Sequence, residues 1–373
     1  MISAVPFVDL SSQQRVLGKG IRQAISRVLD HGAYIMGPEV LELENLLAPR
    51  AQRRHCVTCA SGTDALQMAL MALGVGPGDR VIVPDFTFVA TAEAVRLVGA
   101  ELVFADVDPI AYGLCPESVE SALTEGDPSI VGVIAVDLFG HPARSRELED
   151  LAARHGAWLI VDAAQSFGAT RNGESALAPG VIATTSFYPS KPLGGYGDGG
   201  AIFCDDDGLA ADLRSIRVHG SGESVGTHDR IGLTGRLDTI QAAVLLVKLE
   251  VFDQEVERRQ VVANRYRRAL DGAVTVPLVA DGAMSVWAQY TIEVDGRDDV
   301  QGRLDGAGIP TCVFYPRLVS SNAPYRSATV VRGGVPVAER ATAMVLSLPM
   351  HAYLTEADQD RIVGQLLRIG EDR

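Results

Sequence analysis

A large α/β unit built on a mostly parallel sheet with helices on both faces, followed by a smaller C-terminal α+β unit, is the fold class this sequence predicts. Two patterns predict it. Between about residues 55 and 205, short Val- and Ile-rich runs, apolar nearly throughout, alternate with segments of helical periodicity. Strands covered on both faces and their crossover helices have that character. After Gly235 the alternation gives way to one long helical stretch and then to a shorter mixture of strands and helices.

HCVTCA (55–60), RVIVPDF (80–86), ELVFADVD (101–108), SIVGVIAVDLF (129–139), AWLIVDAA (157–164) and GGAIFCD (199–205) read as strands, with VIATTSFYPS (181–190) a further strand passing from apolar to polar. Between them DALQMALMALG (64–74), TAEAVRLVG (91–99), PESVESALTEG (116–126) and SRELEDLAARHG (145–156) read as crossover helices. Residues 236–270 form one long helical stretch with room for a kink, its Leu237, Ile240, Val244 and Val247 at helical spacing. Beyond it, AQYTIEVDG (288–296) and TCVFYP (311–316) read as strands, and DVQGRLDGAG (299–308) and EADQDRIVGQLLR (356–368) as helices. The expected division is residues 1–250 for the large domain, N-terminal segment included, and 251–373 for the small one. There is no internal repeat.

With 373 residues, 47% of them hydrophobic, the chain buries a large core and is not a disordered protein. A net charge of -14 excludes a nucleic-acid backbone or an anionic membrane as the main partner, because both would be repelled on average. The start lacks a basic segment before an apolar one, and no apolar window reaches bilayer length, so the expectation is a cytoplasmic protein without a membrane span. Five scattered cysteines suit a reducing compartment, and HCVTC has no second ligand pair at metal spacing, so it reads as buried strand and no metal is expected. Of 33 basic residues only Lys19, Lys191 and Lys248 are lysine.

Lys191 lies in SFYPSKPLGGYGDGG (186–200), which also contains a literal G-x-G-x-x-G at Gly195, Gly197 and Gly200. A dinucleotide fingerprint needs a strand before it and a helix opening at its last glycine; here the glycines precede a strand. They read instead as a close-packed turn. Lys191, flanked by Pro189 and Pro192, has little backbone freedom, and a positioned, partly desolvated amine is what Schiff-base chemistry needs. A lone lysine is ordinarily a solvated one, but this lysine has the partners of a pyridoxal phosphate site. Asp162 ends a buried strand at its carboxyl end, where α/β sheets place ligands, and Gln165 follows one short step later. In CASGTDALQMAL a strand ends and a helix begins at Asp64, so Ser61, Gly62 and Thr63 offer hydroxyls and N–H groups to a phosphate while also capping the helix.

These residues, together with PFVDL, YIMGPEVLELE, PDFTFVATAEAV, VDAAQSFGA, GRLDTIQAAVL and LSLPMHAYL, make the sequence resemble the DegT/DnrJ/EryC1/StrS group of sugar aminotransferases, pyridoxal phosphate enzymes of fold type I, over essentially its whole length. The resemblance implies that Lys191 forms the Schiff base, Asp162 pairs with the pyridine nitrogen, Gln165 meets the ring oxygen and Phe88 stacks on the ring. It implies phosphate contacts from Gly62, Thr63 and Ser186. It further implies a homodimer with shared active sites, in which the loop GLTGR (232–236) crosses to the partner, Thr234 toward the phosphate and Arg236 toward substrate or cofactor anions. Phe314 and Tyr315 fall at substrate-binding positions.

Two departures stand out. The family's pattern carries asparagine where Thr234 stands and histidine where Phe314 stands. SKPLG and GRLDTIQAA are closest to members acting on a UDP-linked 3-oxo sugar acid; without the histidine, a neutral deoxy or pentose ketosugar is an equal expectation. The implied reaction takes the amino group of L-glutamate, leaves pyridoxamine phosphate as the carrier, and aminates a UDP- or dTDP-linked 3- or 4-ketosugar. The rival readings are a cyclitol or other non-nucleotide ketone, a sugar dehydratase, which would carry histidine at the lysine position, and a non-catalytic regulatory member of the group.

Overall fold

The computed structural model describes residues 5–124 and 126–372. The first four residues of the expected N-terminal segment, Glu125 in the expected helix 116–126, and residue 373 lie outside the described residues. Helices α1 (Leu10–His31) and α2 (Pro38–Arg50) lead into β1 (His55–Cys59). Then come α3 (Gly62–Ala72), β2 (Arg80–Pro84), α4 (Ala90–Leu97), β3 (Glu101–Ala105), α5 (Pro116–Thr124), β4 (Ile130–Val136), α6 (Ser145–Arg154) and β5 (Trp158–Asp162). A small hairpin, β6 (Thr170–Arg171) and β7 (Glu174–Ser175), precedes β8 (Ile182–Ser186), β9 (Gly200–Cys204) and α7 (Asp207–Ile216). The remainder comprises α8 (Thr239–Leu249), α9 (Phe252–Leu270), β10 (Ala283–Met284), β11 (Tyr290–Glu293), α10 (Arg297–Gly306), β12 (Thr329–Val330), α11 (Pro336–Met344), β13 (Val345–Leu348) and α12 (Glu356–Glu371).

The large sheet has the order β1-β9-β8-β5-β4-β2-β3-β12, and only β9 runs against the rest. Its central strands are largely apolar because alternate residues serve two cores, with β8 turning polar toward its end. Val57, Val81, Leu102, Ile134, Ile160 and Ile202 point to one face, where α3, α4 and α7 pack. Cys56, Ile82, Val103, Val133, Leu159 and Phe203 point to the other, covered by α2, α5, α6 and α8. A third core, built from Tyr266, Tyr290, Ile292, Leu304 and Ile362, holds the two-stranded sheet β11–β13 against α9, α10 and α12, and Val5 joins it. Chain beyond residue 250 also returns to the large sheet: β12 pairs with β3, and Phe252 and Val256 lie in the core under α8. Among the described residues no helix is long and apolar enough to cross a membrane.

The structure locates the kink expected in 236–270, and two other expectations need correction. The helical stretch 236–270 is two helices, broken at Val251 (φ -110°, ψ 0°). α8 buries its face against the large sheet, whereas α9 passes from that core at Phe252 and Val256 to the third core at Val262, Tyr266 and Leu270, and one straight helix cannot present both stripes. TCVFYP is no strand: Cys312 alone pairs, in a single bridge to Ser347, because Phe314 and Tyr315 turn into a cluster of rings instead. Finally, α3 starts at Gly62, not Asp64, with the Ser61 hydroxyl accepting the Asp64 N–H at 3.0 Å.

The approach to α3 is fastened from below. The Glu44 carboxylate, buried, accepts the Thr58 N–H (2.9 Å), the Thr58 hydroxyl (2.8 Å) and Arg217 Nη1 (2.5 Å). Glu44→Ala strands the Arg217 charge in the interior, and should destabilise the protein by about 3–5 kcal/mol, read as a lowered midpoint in urea unfolding.

Candidate active site

Parallel strands bring their carboxyl ends to one edge, and the predicted site residues gather there. Asp162 is the last residue of β5, in register with Val136 and Thr184 of its neighbours. Its carboxylate is buried, with two neutral donors: the Thr91 hydroxyl to Oδ2 (2.9 Å) and the Ala164 N–H to Oδ1 (3.1 Å). Burial raises its pKa; the two donors and the charge of Lys191 act against that. Lys191, five residues past the end of β8, feels the reverse: burial pulls its amine down to about 8 while Asp162 holds it up. The two groups therefore sense one another.

The turn after β5 is fixed by the end of β4. Asp137 N–H donates to the Asp162 carbonyl (3.0 Å), and the Asp137 carboxyl accepts the Ser166 hydroxyl (2.7 Å) and the Ala143 N–H (2.7 Å). Burial pushes the Asp137 carboxyl up to about 7. Between them, Gln165 Oε1 accepts the Phe139 N–H at 2.6 Å, which leaves its amide NH2 as the group facing outward, 3.5 Å from the Tyr315 hydroxyl. Tyr315 packs against Phe86 and Phe88 (ring centroids 6.3 and 6.0 Å), so a segment from the C-terminal part of the chain closes on the sheet edge. Asp85 holds that segment down, accepting the Ser320 N–H (2.7 Å) and hydroxyl (2.6 Å). The Phe88 ring is 53% exposed, an apolar face left open beside Tyr315.

At the start of α3, the Gly62 and Thr63 N–H groups sit in the first turn and have no intrahelical acceptor. Ser186, the end of β8, lies against them so closely that a β-carbon on Gly62 would come within 2.7 Å of the Ser186 β-carbon. Two predicted residues are not brought into this group. Thr234 is exposed and hydrogen-bonds His219 Nε2 (2.9 Å), and Arg236 buries its Nε without an acceptor; among the described residues neither side chain hydrogen-bonds Asp162, Lys191 or Gln165. Phe314 reaches the group only through the Tyr315 ring (5.8 Å), its other ring neighbour being Phe7 (6.2 Å). Sequence reasoning missed Thr91, whose signal was a hydroxyl set between the small apolar residues Ala90 and Ala92 in the first turn of α4.

The donor set tests the expected cofactor. A buried carboxylate held by two neutral donors fits a ring nitrogen that must stay protonated, and an outward amide donor fits a phenolic oxygen. Free N–H groups at a helix start, beside the Ser186 and Thr63 hydroxyls, fit a phosphate. These residues fit pyridoxal phosphate, and the fold around them is that of a fold-type-I aminotransferase. The chain belongs to the DegT/DnrJ/EryC1/StrS aminotransferase family, whose family model matches residues 16–367. It is 46% identical, over 95% of its length and 97% of the relative's, to the UDP-2-acetamido-2-deoxy-3-oxo-D-glucuronate aminotransferase of Pseudomonas aeruginosa. It is 38% identical to the dTDP-3-amino-3,4,6-trideoxy-alpha-D-glucose transaminase of Streptomyces venezuelae, covering 96% and 94% of the two chains. Among solved structures, a DegT/DnrJ/EryC1/StrS aminotransferase from Brucella abortus superposes with TM-score 0.96 at 46% identity (98% and 99% covered). NtdA of Bacillus subtilis, with bound cofactor PMP, gives 0.89 at 27% identity (100% and 86%).

The rate at which added pyridoxal phosphate forms a Schiff base should rise with pH through about 8, where burial places the Lys191 amine, because only the free amine attacks. Asp162→Asn removes the charge that favours the ammonium, so the rise should move to lower pH; stopped-flow absorbance checks both, and a midpoint at the ordinary 10.5 contradicts the site.

Proposed function

We propose that this pyridoxal-phosphate-dependent aminotransferase moves the amino group of L-glutamate onto a nucleotide-linked ketosugar, UDP- or dTDP-linked and oxidised at C3 or C4. The observation that carries the reading is the coupled pair of Asp162 and Lys191 at the sheet edge. The activities named for the Pseudomonas and Streptomyces relatives support the acceptor class.

Pyridoxal phosphate, when bound, supplies the electron sink for a carbanion. Asp162 would hold its pyridine nitrogen, Gln165 its phenolic oxygen, Phe88 its ring face, and Gly62, Thr63 and Ser186 its phosphate. Lys191 Nζ, with an amine brought near neutrality by burial, is suited to take the proton from the donor's α-carbon and to return a proton to the carbon of the acceptor. Tyr315 closes over the site from the C-terminal segment, and Gln165 is within reach of its hydroxyl. Burial keeps that phenol protonated, so it can donate to a sugar oxygen. Phe314, packed against Phe7 and Tyr315, brings an apolar wall, which suits a neutral sugar as well as it suits an acid.

The reading includes two copies that share their sites, in a cytoplasmic enzyme divided near residue 250. Support for the sharing comes from Arg236, whose Nε is buried without an acceptor among the described residues.

A panel of UDP- and dTDP-ketosugars with L-glutamate, followed by 2-oxoglutarate release, tests this. At least one should be turned over, and Lys191→Ala should lower that turnover by roughly 10²–10⁴ or more, the range lost with a positioned acid–base group. A cyclitol ketone accepted while every nucleotide sugar fails would overturn the substrate class.

A further inference from the structure

Two side chains of α8 hold the turn that carries Lys191. Gln241 and Lys248 lie seven residues apart, two helical turns, and so share a face. Gln241 Oε1 accepts the Tyr196 N–H at 2.8 Å, and Gly195 gives it room, since a β-carbon there would come within 2.9 Å of that oxygen. Lys248, 2% exposed, donates from Nζ to the Gly194 carbonyl at 2.6 Å and stands 4.4 Å from the centre of the Tyr196 ring. The turn is also closed on itself, with Lys191 N–H donating to the Tyr188 carbonyl (2.9 Å) and Gly195 N–H to the Phe187 carbonyl (2.7 Å). Leu193 packs into the same core as Leu245 and Leu249 of α8, and among the described residues the hydrogen bonds that fasten the turn to α8 come from those two side chains.

Burying an ammonium is costly, and an ordinary cross-brace could use a neutral group. Here the cation has three supports: the Gly194 carbonyl, the Tyr196 ring face, and the field of Glu255, itself held by Gln13 (2.9 Å) and the Tyr353 hydroxyl (2.6 Å). Arginine would bring five donors to a place offering one carbonyl and a ring. That accounts for a second lysine at the site in a chain whose other basic residues are nearly all arginine.

We propose that Lys248, with Gln241, is a positioning residue for transamination, fixing the turn 189–196 so that the Lys191 amine is presented to the cofactor beside Asp162. The proposal rests on Lys191 as the Schiff-base lysine, so Lys191→Ala is measured alongside. The test uses the full chain with added pyridoxal phosphate, and reads the rate and pH midpoint of the Schiff-base absorbance band, kcat and KM for L-glutamate, and the melting temperature. Lys248→Met keeps the stem and removes the donor; losing a charge-assisted hydrogen bond should slow band formation and kcat about tenfold or more while KM changes little. Gln241→Leu should act in the same direction and less strongly. A merely structural role would lower the melting temperature and leave the kinetics of the folded protein alone. Wild-type band formation and pH midpoint in folded Lys248→Met overturns the proposal; should that variant fail to fold, wild-type kinetics in Gln241→Leu does so. A band that survives Lys191→Ala overturns the lysine assignment itself.

Discussion

The structure depends on one costly arrangement: a carboxylate, Asp162, buried at the end of a central parallel strand with neutral donors on it and Lys191 as an opposing charge. An isolated buried charge shifts its pKa or finds a partner. Much of the nearby architecture supplies that partner or holds it still. Register with β4 and β8 sets the height of Asp162, α4 brings Thr91 to it, and the turn after β8 brings Lys191. Burial lowers the amine and raises the acid, so each group is brought nearer to neutral pH than it would be in water.

The rest of the chain covers and aims this pair. Carboxylates at the ends of β2 and β3 reach into the C-terminal part: Asp85 takes Ser320, Asp106 takes the N–H groups of Val337 and Ala338 (3.0 and 2.9 Å), and Glu293 of β11 accepts the Tyr112 hydroxyl (2.7 Å). Those bonds set the segment bearing Tyr315 over Gln165 and Phe88. Catalytic geometry is thus distributed over two cores that are pinned at several points.

What was legible in the sequence follows from locality. The strands were readable because each is buried on both faces, and Lys191 and Asp162 because a scarce residue and a charge at the end of an apolar run are visible without coordinates. Thr91 was not, since its contact with Asp162 joins residues 71 positions apart and depends on how α4 lies across the sheet. Lys248 was noticed for its rarity, but nothing local shows that its stem ends at the Gly194 carbonyl. TCVFYP misled because aromatic, β-branched residues serve a ring cluster as well as they serve a strand. Thr234 and Arg236 were expected from resemblance alone, because a contact made across two subunits leaves no local signal in one sequence.

The central claim, that Lys191 is the amine placed against the cofactor, has a direct test because the chain has three lysines. Borohydride reduction of the protein with pyridoxal phosphate, followed by peptide mass mapping, fixes the cofactor covalently to whichever amine held it. The account predicts the added mass on the peptide containing Lys191, with Lys19 and Lys248 unmodified. Label on Lys248, whose amine burial also brings to about 8, or an even spread over all three, would contradict it.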